Sequence, residues 1–397
     1  MLSSFDDFPI HQTPYPVGRT GSTDLNHYDR YFFHGATADR RIVFGAAMGL
    51  YPNRHVADAS FSVIVGDDPG REQISVHASR RAPSDRADAN TVGPIEVEVI
   101  EPLQALRLGV DTPEHGLRAD LTFVRRSPPI EEPHFEHRVG NRTVMDSTRL
   151  TQFGGWEGWI EVDGELTDLE PGKTLGVRDR SWGIRTVGER APTGAPIADP
   201  QFFWLWAPIN FDTFSTHFDV NELFDGHRWH QTGFVAPISS PETAAQPEVM
   251  RAVDYRLTWE PGTRRMSTCE IDLVPWNGTG PGEMSTVRLE RHFDFYMAGL
   301  GYLHPEWSHG VWKGELEVGG ERWRVPTPGA SSESLDPTYI HIQSLVTATT
   351  SGALGEHQGA GILEQLAIGR HDPTGLTGAF DPARPGDEVS LPTPQGP

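Results

Sequence analysis

Hydrophobic and polar residues alternate one by one along much of this chain, and that period admits one class of structure. Ile95, Val97 and Val99 are interleaved with Glu96 and Glu98, so a two-residue repeat sends the aliphatic side chains to one face and the carboxylates to the other. Residues 61–65, 117–123 and 255–259 repeat the pattern. A helix would scatter the same residues around its circumference. The 42 glycines and 33 prolines suit many short strands joined by turns, and do not suit a helical bundle. Only 361–367 offers a short helical pattern. Asp163-Gly164 and Gly319-Gly320 sit between paired runs and predict two-residue hairpins. The expected class is all-β, with antiparallel sheets that curl into barrels or sandwiches and so remove their edges.

A twelve-residue pattern occurs twice. Residues 154–165 read GGWEGWIEVDGE and residues 310–321 read GVWKGELEVGGE, with seven identities and one Ile–Leu exchange. The repeat predicts two related units in tandem. Only the first copy is followed by a charged, aromatic signature, Gly176-Val177-Arg178-Asp179-Arg180-Ser181-Trp182-Gly183-Ile184-Arg185. The expected division is 1–190 and 191–380, with a Pro- and Gly-bearing linker in 185–199 and a disordered tail over 381–397.

Composition removes several functions. A net charge of -22 argues against nucleic acid, because phosphate binding needs a basic surface. The single cysteine, Cys269, excludes an internal disulfide and a thiolate metal cluster, and its strand-like surroundings predict a buried structural thiol. No apolar run reaches the roughly 20 residues of a membrane helix, and the N-terminus has no signal-peptide pattern, so a cytoplasmic protein is expected. P-loop, dinucleotide and Gly-x-Ser-x-Gly patterns are absent from the sequence, so no cofactor is expected. His227-Arg228-Trp229-His230 lacks a metal-ligand spacing, and no metal site is expected.

Two segments concentrate groups capable of chemistry. In a strand over the signature, Asp179, Ser181 and Gly183 face one way and Arg178, Arg180 and Trp182 the other. This arrangement lines a cavity, with Asp179 fixed by an arginine and Trp182 as an apolar wall, or else forms a buried Arg–Asp lock involving Asp179 and Arg185. An acid beside several arginines is expected to have a lowered pKa. The second segment, 202–212, is the most aromatic of the chain and ends on Asp212. Trp204 and Trp206 share a face there. A carboxylic acid in such an apolar wall stays protonated near neutrality and could donate a proton to an alkene. The alternative is a core strand ending in a turn aspartate. His217 follows, able to face either side. The early segment 26–35, with Tyr28, Asp29 and Arg30, offers a pocket wall or a structural strand.

The Arg-Asp-Arg-Ser-Trp-Gly signature, the Trp-x-Gly run before it and the aromatic strand after it resemble the carotenoid 1,2-hydratase-like group, which includes hydroxyneurosporene synthase. The resemblance implies two tandem lipocalin-like β-barrels and acid-initiated addition of water to an isoprenoid double bond. It implies that Trp182 matches the signature tryptophan and that Asp212 is the counterpart of an acidic residue near the end of the following strand. Arg180 departs from the pattern, where hydratases commonly carry histidine, and its presence removes a potential proton relay.

The expected function is therefore a lyase or isomerase acting on a lipophilic substrate, an isoprenoid or steroid among the candidates. Asp212, Asp179 and His217 are the catalytic candidates; Trp182, Trp204, Trp206, Arg178, Arg180 and Arg185 are the substrate-binding ones. A non-catalytic carrier of a lipophilic molecule is the rival, and a carbohydrate-binding sandwich with exposed tryptophans the third possibility.

Overall fold

A computed structural model describes residues 2–66, 70–187, 200–239, 246–276, 278, 280–325 and 337–379. The expected linker lies partly, and the expected tail wholly, outside these residues. The described chain is all-β, and all its strand pairings are antiparallel. No helix among the described residues is long and apolar enough to cross a membrane. Two compact units are formed, one by 1–193 with 298–324, the other by 194–297 with 325–397. Residues 298–324, which fall in the middle of the expected second domain, thus belong to the first unit.

The first unit is one long curled sheet. Its strand order runs Leu316–Arg324, Glu72–Arg81, Val56–Val65, Ile42–Tyr51, His27–Thr37, Thr174–Arg185, Arg142–Val162, Leu117–Arg125, Ala105–Thr112, Ile95–Glu101 and Thr91–Val92. One face closes over an apolar core that joins Phe44, Phe61 and Val76 to Leu108, Leu121 and Trp156. The alternation at 61–65, 95–99 and 117–123 supplies these inward residues. Asp163 and Gly164 make the predicted turn, both with positive φ (51° and 86°), the combination a two-residue type I′ hairpin requires.

The two copies of the twelve-residue pattern both lie in this unit and play different parts. Trp156 is 1% exposed in the core, whereas its counterpart Trp312 is 46% exposed. Gly319 and Gly320 form no hairpin; they lie inside Leu316–Arg324, paired with His77 and Val76. A Cβ on Gly319 would stand 2.5 Å from the Trp307 ring, and one on Gly320 would stand 2.7 Å from His115 Nδ1. Close approach of side chains across the strand, not a turn, uses these glycines.

The second unit closes on itself. Phe214–Glu222, Arg228–Pro237, Glu248–Trp259, Met266–Pro275, Ser285–Tyr296, Ile342–Gly352 and Gln358–Ile368 pair in succession. The interrupted strand Phe202–Trp206 and Ile209–Phe211 bridges the last of these back to the first. Among the described residues each of these strands pairs with a neighbour on both sides, and the interior is packed with Phe203, Phe218, Tyr255, Trp259 and aliphatic side chains. Residues 361–367 are strand rather than helix. A short apolar run satisfies either period, and here neighbours on both sides supply the ladder. Cys269 is buried in this core, and burial pushes its thiol up to about 12, as a structural thiol requires.

Candidate functional site

Strands that alternate have two faces, and in His27–Thr37, Ile42–Tyr51, Val56–Val65 and Glu72–Arg81 of the first unit both are largely buried. Opposite the apolar core, His27–Thr37 presents Tyr28, Arg30, Phe32 and His34, and Glu72–Arg81 presents Gln73, Ser75, His77 and Ser79. Apart from Phe32 these side chains are polar, which suits what lies on them. Residues 298–311 cross this face in largely irregular conformation, so their backbone groups need partners from the sheet. Ser62 Oγ donates to Gly299 O (3.0 Å), Ser79 Oγ donates to Val311 O (3.1 Å), and Gly310 N–H donates to Asp58 Oδ2 (2.6 Å).

The crossing segment is pinned at its middle. Glu321 Oε1 accepts from His77 Nε2 (2.8 Å) and His304 Nε2 (2.7 Å), and Trp307 stacks on His77 at 5.5 Å. The donor set of His77, His304 and Glu321 is one that binds divalent metals. The hydrogen bonds argue for a different state. His304 Nδ1 accepts two backbone N–H groups, from Glu306 (2.9 Å) and Trp307 (2.8 Å), so its proton sits on Nε2 and goes to Glu321. A metal-bound histidine instead donates from its second nitrogen. Although burial opposes it, the bonds from His304 and His77 hold the Glu321 carboxyl down at about 2. Glu321→Gln is expected to destabilise the protein at pH 7 by on the order of 1–3 kcal/mol. Because the folded pKa is depressed, that difference should shrink as pH falls from about 4.5 towards 2, which urea midpoints for both proteins across this range would show.

Beyond the pin, the segment delivers Tyr302 and His309 to a group of ionisable residues. Arg30, 1% exposed, donates from NH1 to His309 Nδ1 (2.9 Å) and lies 4.3 Å over the Tyr302 ring. His309 Nε2 donates to Leu300 O (2.8 Å), which fixes the neutral tautomer. Arg185 stacks on Tyr28 at 4.8 Å and on Tyr302 at 5.8 Å. Tyr51 O–H donates to Asp58 Oδ1 (3.2 Å), and burial raises both groups, Asp58 to about 6.

Asp179 enters this face through register. It pairs with Phe32 on one side and Thr151 on the other, and cross-strand partners share a face. Among the described residues nothing donates a hydrogen bond to its half-buried carboxylate or stands within ion-pair distance of it. Burial pushes it up to about 6, against the more distant charges of Arg149, Arg30 and Arg185 and with that of Glu132. The expected lowering does not occur, because arginines that are near but not in contact are outweighed by desolvation. Neither does the expected Arg–Asp lock form. Arg149 is committed to Glu132 (Nε to Oε2, 2.8 Å), Arg178 to Gln152 (2.8 Å) and Arg180 to Asp29.

The other signature residues turn away. Arg178, held with Gln152 near Phe123, is in the apolar interior, where burial lowers it to about 10. Arg180 lies over Tyr31, and Trp182 is 42% exposed, so Trp182 walls no dry cavity.

In the second unit Trp204 and Trp206 do share a face, opposite the interior residues Phe203 and Leu205. Trp204 Nε1 donates to Asp219 Oδ1 (3.2 Å), and Trp206 meets buried His217 edge to face at 6.1 Å. Asp212 is not with them. The strand breaks at Ala207-Pro208, and Asp212 is exposed in the turn between Ile209–Phe211 and Phe214–Glu222. Asp212 therefore lies outside the apolar wall formed by Trp204 and Trp206. Asp212→Asn is expected to change stability by less than about 0.5 kcal/mol, measured as a urea midpoint.

Residues 2–377 match DUF8625, described as a family of unknown function. The chain belongs to that family. Curated proteins yield no match. Among solved structures, this DUF8625 protein is similar to kievitone hydratase from Nectria haematococca, at 10% identity over 92% of this chain and 96% of that one, with a TM-score of 0.43. It is similar to a putative AttH from Nitrosomonas europaea at 13% identity, over 90% and 97% of the two chains, with a TM-score of 0.45. A third is CghA with Sch210972, at 9% identity over 86% and 89%, with a TM-score of 0.43.

Of the residues singled out in the sequence, the DUF8625 fold brings Asp179 and Arg185 to one polar face. It adds Asp58, Tyr302 and His309, which sequence reasoning did not find. Asp58 had a signal, a lone carboxylate inside the otherwise apolar and small run 56–65. Tyr302 and His309 had none, since they arrive from a segment over 100 residues downstream of the signature.

Proposed function

We propose that this DUF8625 protein catalyses proton transfer on a lipophilic substrate, with Asp179 as the general acid and base. Asp179 carries the proposal: it is half-buried, without a hydrogen-bond or ion-pair partner among the described residues, and raised to about 6. A pKa near the working pH lets one carboxyl give and regain a proton. Tyr302, partly exposed, supplies aromatic surface for an apolar substrate.

Hydration is the form of this chemistry that the sequence resemblance favours. The Asp179 carboxylic acid protonates one alkene carbon, water attacks the resulting cation, and the carboxylate takes the surplus proton from the added water. Run backwards, the same steps dehydrate an alcohol; without water they move a double bond. Nearby aromatic faces stabilise a cation. Arg180, in the place of the hydratase histidine, is paired with Asp29 and has no part in the relay.

The test is incubation in heavy-oxygen water with a panel of lipophilic alkenes and alcohols, read by mass spectrometry. Label should enter product with wild-type protein and be lost with Asp179→Asn, while Asp212→Asn retains it. Binding across the panel without turnover would make the protein a carrier.

A further inference from the structure

Two guanidinium groups on the same face of the first unit have no anion within ion-pair distance among the described residues, the carboxyls of Asp179 and Asp58 standing farther off. Arg30 is buried and its described acceptors are neutral: His309 Nδ1 and, at 3.5 Å, the carbonyl of Leu300; its Nε has no partner. Arg185, half-buried, has no described acceptor at all, and its NH2 is buried without one. Its neighbours are the rings of Tyr28 and Tyr302. Neither arginine lies within ion-pair distance of a carboxylate among the described residues. Every other buried arginine discussed above has a side-chain acceptor: Arg149 on Glu132 and Arg178 on Gln152.

Buried charge is costly unless paired, and ring stacking recovers only part of that cost. Two cations within reach of the same tyrosine ring also repel one another. An anion from outside would relieve both terms, and a planar guanidinium fork matches a planar oxyanion. We infer that this face binds a planar oxyanion, a carboxylate or enolate, carried on an apolar molecule, with Arg185 as the principal contact and Arg30 behind it. Tyr302, partly exposed, receives the apolar body. The inference deepens the proposed function and rests on it only for the location of the site.

Naphthalene-2-carboxylate and its methyl ester differ in charge and little in shape, and titration calorimetry of the full chain against each reads the preference directly. The carboxylate should bind at least about tenfold more tightly than the ester, and less tightly as salt rises. Arg185→Gln should abolish the preference and Arg185→Lys keep part of it, with circular dichroism confirming the fold. Equal binding of the two probes, no binding of either up to millimolar concentration, or an intact preference in folded Arg185→Gln would overturn the inference. The wild-type comparison stands even if Arg185→Gln does not fold. Asp179→Asn should keep the preference while losing label incorporation. A preference without turnover in any panel reaction would leave the oxyanion site standing and remove the catalytic role of Asp179.

Discussion

Asp179→Asn is expected to make the protein more stable at pH 7 and above, by on the order of 1–3 kcal/mol, while abolishing turnover. The folded pKa of about 6 stands above the ordinary 3.8, so between these values the folded state binds more protons than the unfolded one. Wild-type stability therefore falls as pH rises from about 4 to 6, and stays reduced above it. Asparagine cannot ionise and keeps the benefit of the neutral form. The two proteins should be nearly equal at pH 4 and diverge by pH 7.5, measured as urea midpoints. A carboxylate serving structure alone would give the opposite sign, since its removal would strand a partner. Stability gained with activity lost is the signature of a group held in an unfavourable state for its chemistry. Asp58, also raised to about 6, should contribute the same pH trend, because burial outweighs the bonds that Gly310 and Tyr51 make to its carboxylate.

Trp156→Ala is expected to cost about 3–5 kcal/mol, the largest loss of any single substitution considered. The indole is enclosed by Phe33, Phe44 and Phe123 with ring centroids 5.1–5.7 Å away, and Nε1 donates to His34 O at 2.9 Å. Glycines make the socket. A Cβ on Gly35 would stand 2.8 Å from the indole, and one on Gly176 would stand 2.7 Å from its nitrogen and 1.9 Å from His34 O. Because His34 and Gly176 belong to the strands that carry Arg30 and Asp179, the socket also holds the polar face in register. Guanidinium unfolding of Trp156→Ala and Gly176→Ala should show losses of similar rank. A loss below about 1 kcal/mol in both would mean that the core closes over the gap.

The strand content was legible because alternation is a local property: each of 61–65, 95–99, 117–123 and 255–259 lies in an observed strand. Asp163-Gly164 was legible for the same reason, as a turn is written in two residues. Gly319-Gly320 misled because the dipeptide that suits a hairpin also suits a strand crossed by Trp307 and His115. Face assignments in 178–182 survived, since parity holds along an unbroken strand. The face of Asp212 was not legible, since Pro208 interrupts the strand before it.

What the sequence by itself determined is therefore the all-β class, the partition of each strand into two faces, and the placing of Asp179 opposite Arg178 and Arg180. Tertiary structure decided which face is the apolar core and which lies under the covering segment. Both faces of His27–Thr37, Ile42–Tyr51, Val56–Val65 and Glu72–Arg81 are largely buried, so a polar face there does not mean a solvent face, and the covering segment 298–311 comes from more than 100 residues away. It also decided the state of Asp179. Charge near a carboxyl lowers its pKa most at contact, and whether Arg30, Arg149 and Arg185 come close enough to outweigh burial depends on partners from other strands and the covering segment: His309, Glu132, and the rings of Tyr28 and Tyr302.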